Sequence, residues 1–447
     1  MELYDYQEPA MPRLLEILSD PDKRLCLINA STGFGKTYMA LESIRRSSCS
    51  CAVLCPKVTL RQWRSSASTI GITPRFVLNP EKLRTGNQKQ WLEKISDSNW
   101  NWLGLEDGDV VVLDELHRFG GMDSQLAFMA ACLSKRNVKV LGLTATLADS
   151  PLKTRFIQHQ AKLTPWNSFF QWAKGVGCFR DQSINGAPWR PPYGKACRKV
   201  MEDLNAKLFP AFGVRLRSED IPSFPEVQNI VDLVTPSEKA RREIDAAYSM
   251  LADELKNPDR ANNDLTRLMR WRQRIEAEKL HIFRELVEDG LEDGYSVVAS
   301  FNYTDSLFEF ARMMKSRAPA LVYGTDDEDR QQKQKDREAD IARFQTNQTR
   351  LMLLTIKAGG TGLDLPDLDG EHPRLAFHNL PVETIDFVQL LGRIHRANSK
   401  SKSVNRIVLV DGVAVEKKVF KILNRKIGNL SALQNDELDL ENLIQGE

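Results

Sequence analysis

Residues 25–46 read LCLINASTGFGKTYMALESIRR: an apolar run, a glycine-rich turn and a helical pattern in direct succession. The run is short and almost wholly apolar, as suits a strand covered on both faces of a parallel sheet. In the turn ASTGFGKT, from Ala30 to Thr37, Gly33 and Gly35 let the backbone wrap closely around a ligand. Strand, turn and helix in this order point amide hydrogens at one place, which suits a phosphate group. Thr32, Gly33, Phe34 and Gly35 then line the phosphates, Lys36 reaches the β and γ phosphates, and the Thr37 hydroxyl ligates magnesium. The expected ligands are ATP and Mg2+, held on an α/β sheet.

Outward from this stretch, short apolar runs alternate with longer helical patterns between residues 24 and 147, and again between 295 and 434. The strand candidates are RLCLINA, CAVLCP, DVVVLDE and VKVLGLT in the first region, and YSVVASF, PALVYG, RLMLLTI, RLAFHNL and NRIVLVDG in the second. Such alternation predicts parallel sheets covered by helices. DSLFEFARMMKSR spaces Leu307, Phe308, Phe310 and Ala311 for one buried helix face. Between the regions, prolines and scattered aromatics surround INGAPWRPPYG, a texture of loops and short helices. At 447 residues the chain exceeds one ordinary core. The expected division is a first domain over 1–147, an insertion over 148–229 and a second domain over 230–447.

Asp114 and Glu115 follow the apolar run VVVL, at the C-terminal end of a buried strand where a parallel sheet presents its chemistry. An acidic pair there also reads as a helix N-cap. The phosphate loop upstream favours magnesium for Asp114 and positioning of the attacking water for Glu115. Composition agrees with a folded, non-fibrous chain, 42% hydrophobic and 27% charged. A net charge of +2 excludes a general polycation, so nucleic acid needs a local groove. Seven cysteines without framework spacing predict a reducing, cytoplasmic setting, and Cys49, Cys51 and Cys55 read as part of a strand rather than a zinc site. The opening MELYDYQEPAMPRLLEIL does not read as a secretory signal, and no apolar run has membrane-spanning length.

ASTGFGKT, DELH at Asp114 to His117, TAT at Thr144 to Thr146 and QLLGRIHR at Gln389 to Arg396 together resemble the motifs of superfamily two helicases, in that family's order. Within it, TIKAGGTGLDLP from Thr355 and VRLRSEDIPSFPEV from Val214 look more like the Swi2/Snf2 translocases than DEAD-box RNA helicases. Compact phage helicases acting on branched DNA share this plan. The resemblance implies two tandem RecA-like domains with ATP between them. It makes Arg393 and Arg396 arginine-finger candidates, expected three apart on one face of the predicted helix ETIDFVQLLGRIHRA.

The same resemblance implies adenine recognition by Tyr6 and Gln7, coupling by Thr144, Thr146 and Gln389, and ATP contact by Gly362 and Asp364. For nucleic acid it points to Pro56, Lys57, Gln62 and Trp63 on the first domain, and to Phe301, Asn302, Thr355 and Lys357 on the second. Trp63 also reads as a core aromatic. Such contacts grip phosphates without reading bases, so DNA bound without sequence specificity is the expected partner, with RNA as the alternative. One chain carries every motif, so a monomer suffices. Trp166, Phe169, Phe170, Trp172 and Trp189 in the insertion read first as a small core and second as a wedge at a fork. Arg267, Arg270, Arg272 and Arg274 around Trp271 read as one side of an amphipathic helix.

Overall fold

In the computed structural model the apolar run of the opening stretch is β1 (Leu25–Ala30), with all six residues buried. The structure describes residues 3–85, 88–183, 186–217, 220–221, 224–239, 241–242, 246, 272–324, 332, 334–360, 363–381, 383–411, 414–434 and 444–445. After β1 come β2 (Cys51–Leu54), β3 (Val77–Leu78), β4 (Leu92–Ser96), β5 (Asn99–Trp102), β6 (Val110–Asp114), β7 (Lys139–Thr144), β8 (Phe179–Arg180), β9 (Trp189–Arg190) and β10 (Gly213–Leu216). Six of these form a wholly parallel sheet in the order β10-β1-β7-β6-β2-β3. The pairs β4–β5 and β8–β9 are antiparallel hairpins outside it.

The chain divides into two compact units, Met1–Ser223 with Lys426–Leu438, and Phe224–Arg425 with Asp439–Glu447. All four strands expected in the first region are present, because each is an apolar run buried from both sides. Leu27, Val111, Leu113 and Val140 pack with Trp100, Trp102, Phe119 and Phe156 in the core of this unit, which Leu433 of the helix Ala414–Gln434 also joins.

Residues 148–223, which composition sets apart with 224–229 as an insertion, belong to the first unit. Trp166 and Trp172 pack on its core, and GVRL forms the edge strand β10 against β1. A four-residue edge strand carrying Arg215 lacks the continuous apolar signature of a central one. Gly213 is required there by space, since a Cβ would come within 2.4 Å of the Leu27 carbonyl oxygen.

The second unit holds β11 (Val227–Val234), β12 (Ser296–Phe301), β13 (Ala320–Val322), β14 (Leu351–Thr355), β15 (Arg374–His378), β16 (Ser403–Val410) and β17 (Ile444–Gln445). They form a parallel sheet ordered β13-β14-β12-β15-β16-β11-β17. The five expected strands are there. β11 was not among them and runs across the 229/230 boundary. Its neighbour β17 pairs with it over only two residues, so β11 is only partly covered and its sequence VQNIVDLV mixes polar with apolar positions. The helix Thr304–Met313 buries Leu307 and Phe310 as its spacing predicts. Ile275 and Phe283 lie in the core of this unit, consistent with the amphipathic reading of that segment. Arg267, Arg270 and Trp271 fall outside the described residues. Among the described residues no helix is long and apolar enough to cross a membrane.

One ion pair inside the second unit is almost wholly sealed from water. Lys279 Nζ lies 2.9 Å from Glu416 Oε1, and the two side chains are 2% and 3% exposed. Lys279 also donates to the Val408 carbonyl at 3.3 Å, and Glu416 accepts from the Val410 amide at 2.7 Å. The pair ties the helical segment before Leu280 to the end of β16 and to the first turn of the helix Ala414–Gln434. Removing one partner leaves a buried charge without its counterion, which costs about 3–5 kcal/mol. Lys279→Ala is therefore expected to lower unfolding stability by that order in a denaturant titration, whereas the double variant Lys279→Met with Glu416→Leu recovers most of it. Equal stability of the single variant and the parent protein would refute this role.

Candidate nucleotide and nucleic-acid sites

Strand register gathers three of the sequence motifs at one edge of the first sheet. β7 lies between β1 and β6, with Thr144 opposite Asn29 and Leu143 opposite Asp114. The loops after β1, β7 and β6 therefore leave the sheet side by side at its carboxyl edge, where open parallel sheets bind ligands.

The phosphate loop turns through two left-handed glycines, Gly33 at φ 87° and Gly35 at φ 69°, before the helix Lys36–Ser47 begins. Lys36 folds back over the loop, its ammonium donating to the carbonyls of Ala30 at 2.8 Å and Ser31 at 3.1 Å. Thr37 stands half-buried in the first helical turn. Gln7 is buried beside the loop. Its Nε2 donates to the Phe34 carbonyl at 2.6 Å and its Oε1 accepts from the Tyr4 amide at 2.9 Å. This amide fastens the N-terminal segment to the phosphate loop, and a Cβ on Gly35 would come 2.6 Å from its nitrogen. Tyr6 packs edge-on to Phe34 and stacks on Tyr4, with centroids 5.4 and 5.3 Å away. Burial, then Tyr4, pushes the Tyr6 phenol up to about 12. The exposed ring of this pair is Tyr4, at 55%, which the sequence reading did not select.

Asp114 closes β6, and each of its carboxylate oxygens has a donor. Trp63 Nε1 lies 2.8 Å from Oδ2, and the Glu115 amide lies 3.1 Å from Oδ1. Burial and the neighbouring Glu115 carboxylate push the Asp114 acid up to about 6, while the Trp63 hydrogen bond and the Lys36 ammonium pull it back. A carboxylate offers about four acceptor sites, so two donors leave capacity for a cation, and hard oxygen ligands suit magnesium. Glu115 sits at φ 55°, ψ 57°, a left-handed backbone that costs a non-glycine residue roughly 1–2 kcal/mol. His117 lies 3.6 Å from the Glu115 carboxylate, and burial depresses its basicity. Thr144 and Thr146 are buried, and the Thr144 hydroxyl closes a turn onto the Thr146 backbone, accepting from its amide and donating to its carbonyl.

In the second unit Arg393 and Arg396 do not ride on a helix as expected. The helix Thr384–Leu391 stops with Gly392 at its C-cap, and both arginines follow in irregular backbone beyond it. They converge nonetheless: each donates to the Leu363 carbonyl at 3.1 Å. Arg393 also holds the Gly360 carbonyl, and Arg396 pairs with Asp364. Both are buried and clasp the loop after β14. Gly362 of that loop lies outside the described residues. Gln389 is buried on the preceding helix. Asn405 on β16 donates to the Leu391 carbonyl at 3.0 Å and so fixes the end of that helix. Asn405 Oδ1 also accepts from His378 Nε2 at 3.0 Å, and Nδ1 on the other side of that ring bonds the Ser300 hydroxyl at 2.9 Å.

The nucleic-acid candidates separate by exposure. Lys57, Gln62 and Lys357 are exposed and Asn302 is half-buried, whereas Pro56, just beyond β2, and Thr355, at the end of β14, are buried. Trp63 takes the core reading that its sequence also allowed, and the Phe301 ring is core as well. Their side chains are 1% and 0% exposed, so neither ring can stack on a base. Trp63 instead orients Asp114, and Phe301 packs with Phe283 and Phe310. Asn302 is held in place by Glu276, a buried carboxylate that accepts from its amide and side chain at 2.8 and 2.7 Å. No pattern in the sequence marks Glu276, because it lies 26 residues upstream of the loop it supports.

Two outcomes follow from this geometry. Trp63→Phe keeps the buried ring and removes one donor to Asp114. The Mg2+ concentration that half-saturates hydrolysis is expected to rise about 10-fold or more, the usual cost of losing a carboxylate's supporting hydrogen bond, and to rise in the parent protein as pH falls through about 6. An unaltered Mg2+ titration would remove Trp63 from this role. Glu115→Gln is expected to abolish hydrolysis with the fold intact, and Glu115→Gly to abolish it while unfolding at the same or a higher temperature, because glycine relieves a strain of about 1 kcal/mol. A clear loss of stability in the glycine variant would contradict the strain.

Residues 1–149 match the family described as the type III restriction enzyme res subunit, and residues 278–398 match the helicase conserved C-terminal domain. A protein of Acanthamoeba polyphaga mimivirus described as an ATP-dependent RNA helicase is 25% identical over 473 residues, covering 98% of this chain and 84% of its own length. S. cerevisiae Dbp5 bound to RNA and ADP BeF3 is similar in structure, with TM-score 0.51 at 13% identity over 96% of this chain and 88% of its own. A variant of that protein with the same ligands gives TM-score 0.51 at 12% identity and the same coverage. These likenesses show the fold, two tandem RecA-like parallel-sheet domains. With one family falling on the unit that carries the phosphate loop and the other on the unit that carries the paired arginines, the matches together support a superfamily two helicase.

Proposed function

We propose that this helicase couples ATP hydrolysis to movement on DNA and so unwinds or remodels forked or branched DNA. The observation that carries the ATPase half is the register of β1, β7 and β6, which sets the phosphate loop beside Asp114 and Glu115. On this reading Lys36 binds the β and γ phosphates, and Tyr6 and Gln7 with Thr32 to Gly35 frame the nucleotide. Glu115 orients the attacking water. Thr37 and Asp114 hold the Mg2+, which when bound neutralises charge on the phosphates. Arg393 and Arg396 act on the charge that develops on the γ-phosphate, and Gly362 and Asp364 contact ATP from the loop after β14. Thr144, Thr146 and Gln389 relay the state of the nucleotide. Lys57, Gln62, Asn302 and Lys357 grip phosphates of the strand, so binding is independent of sequence and weakened by salt.

The choice of DNA is supported by the Swi2/Snf2-like segments TIKAGGTGLDLP and VRLRSEDIPSFPEV and by the restriction-enzyme family matched over residues 1–149. A second reading, RNA as the track, is favoured by the description of the mimivirus relative and by the RNA in the Dbp5 structures. Hydrolysis measured with equal lengths of DNA and RNA separates the two. Stimulation by DNA several-fold above that by RNA is expected, and Lys36→Ala should abolish turnover on either. Preferential stimulation by RNA would transfer the proposal to RNA, and normal turnover by Lys36→Ala would overturn the mechanism.

A further inference from the structure

The β8–β9 hairpin of the first unit carries a cavity that the ATPase reading leaves unused. Its volume is about 690 Å³, and Phe170, Lys174, Phe179, Arg180 and Trp189 are among its lining residues. Phe170 and Trp189 stack with centroids 5.2 Å apart and planes at 25°. Arg180 and Trp189 are direct cross-strand partners, and the guanidinium lies 5.6 Å from the ring centroid. Trp189 also packs against a small core of Leu152, Ala173 and Cys178, which makes the ring a fixed platform. Phe169, by contrast, is fully buried, and Trp166 and Trp172 pack against the main core. The aromatic cluster therefore divides: one part is core, and Phe170 with Trp189 lines the cavity.

Charge identifies the occupant. From Phe170 to Arg198 the chain carries Lys174, Arg180, Arg190, Lys195 and Arg198 against Asp181 alone, in a protein whose whole net charge is +2. Asp181 is already engaged, by Ser183 at 2.5 Å and Arg190 at 3.4 Å, and it does not line the cavity. Lys174 and Arg180 are exposed. Aromatic faces framed by cations, with no carboxylate in the lining, match the way unpaired bases stack while their phosphates are neutralised. We infer that this cavity binds single-stranded nucleic acid, holding an unpaired base against Trp189 and Phe170 and its phosphates at Lys174 and Arg180. The inference rests on the helicase reading and adds to it a contact with the separated strand.

The test measures binding of labelled single-stranded DNA, single-stranded RNA and blunt duplex to the full chain and to Trp189→Ala, Trp189→Phe and Lys174→Glu with Arg180→Glu. Roughly tenfold weaker single-strand binding is expected for Trp189→Ala. The charge-reversed variant should also lose salt dependence, by about one in the log–log slope for each cation removed. Trp189→Phe should keep most of the affinity, and blunt-duplex binding and hydrolysis without nucleic acid should be unchanged in all three. A bromodeoxyuridine-containing single strand should cross-link to the peptide bearing Trp189. The DNA and RNA arms assign the strand type. Stimulated hydrolysis in the parent protein, together with undiminished single-strand binding in every variant or cross-links only elsewhere, would overturn the cavity's role and leave the helicase reading standing. Hydrolysis indifferent to all nucleic acid would overturn the helicase reading and this inference together.

Discussion

Burial of the parallel strands from both faces governs the rest of this structure. A strand such as β1, with all six residues covered, admits a polar side chain only where a neighbour satisfies it, as Asn405, His378 and Ser300 satisfy one another in the second sheet. Polar groups that can meet a ligand therefore gather at strand ends and in the loops beyond them. In the first sheet the ends of β1, β7 and β6 coincide, and each delivers a motif at its last residue or just after it. Local backbone demands are met there by particular residues: left-handed glycines in the phosphate loop, and a left-handed Glu115 that spends conformational energy to present its carboxylate.

A second tier of contacts holds these loops, and most of it consists of single hydrogen bonds from distant parts of the chain. Gln7 braces the phosphate loop, Trp63 braces Asp114, and Glu276 braces Asn302. Asn405 braces the helix end before Arg393. Each such donor or acceptor is buried or nearly so, where an unmet polar group would cost about 1–3 kcal/mol. That cost makes the loops reproducible in shape. Trp63, which resembles a nucleic-acid contact by position, is occupied in this way with holding Asp114.

Irregular segments follow another rule. Residues 148–223 have no long apolar runs, yet they join the first unit by small contributions: a four-residue edge strand, aromatic rings packed on the core, and a hairpin whose Phe179 and Trp189 line a cavity. Edge strands and hairpins need be covered on one side only, so their sequences stay mixed and the apolar pattern that reveals central strands is absent.

By itself the sequence determined the parallel α/β class, the central strands and the positions of Lys36, Asp114, Glu115 and the paired arginines. Those features depend on local pattern: continuous apolar runs, glycines where the backbone turns sharply, and charged residues at strand ends. Tertiary structure alone decided which strands are neighbours and that β10 and β11 complete the sheets. It also decided that Gly392 ends the helix before Arg393, and that Trp63 and Phe301 face inward. Register and burial arise from contacts between residues far apart in the chain, such as Trp63 with Asp114 across 51 positions. No short stretch of sequence contains both partners of such a contact, and so none can announce it.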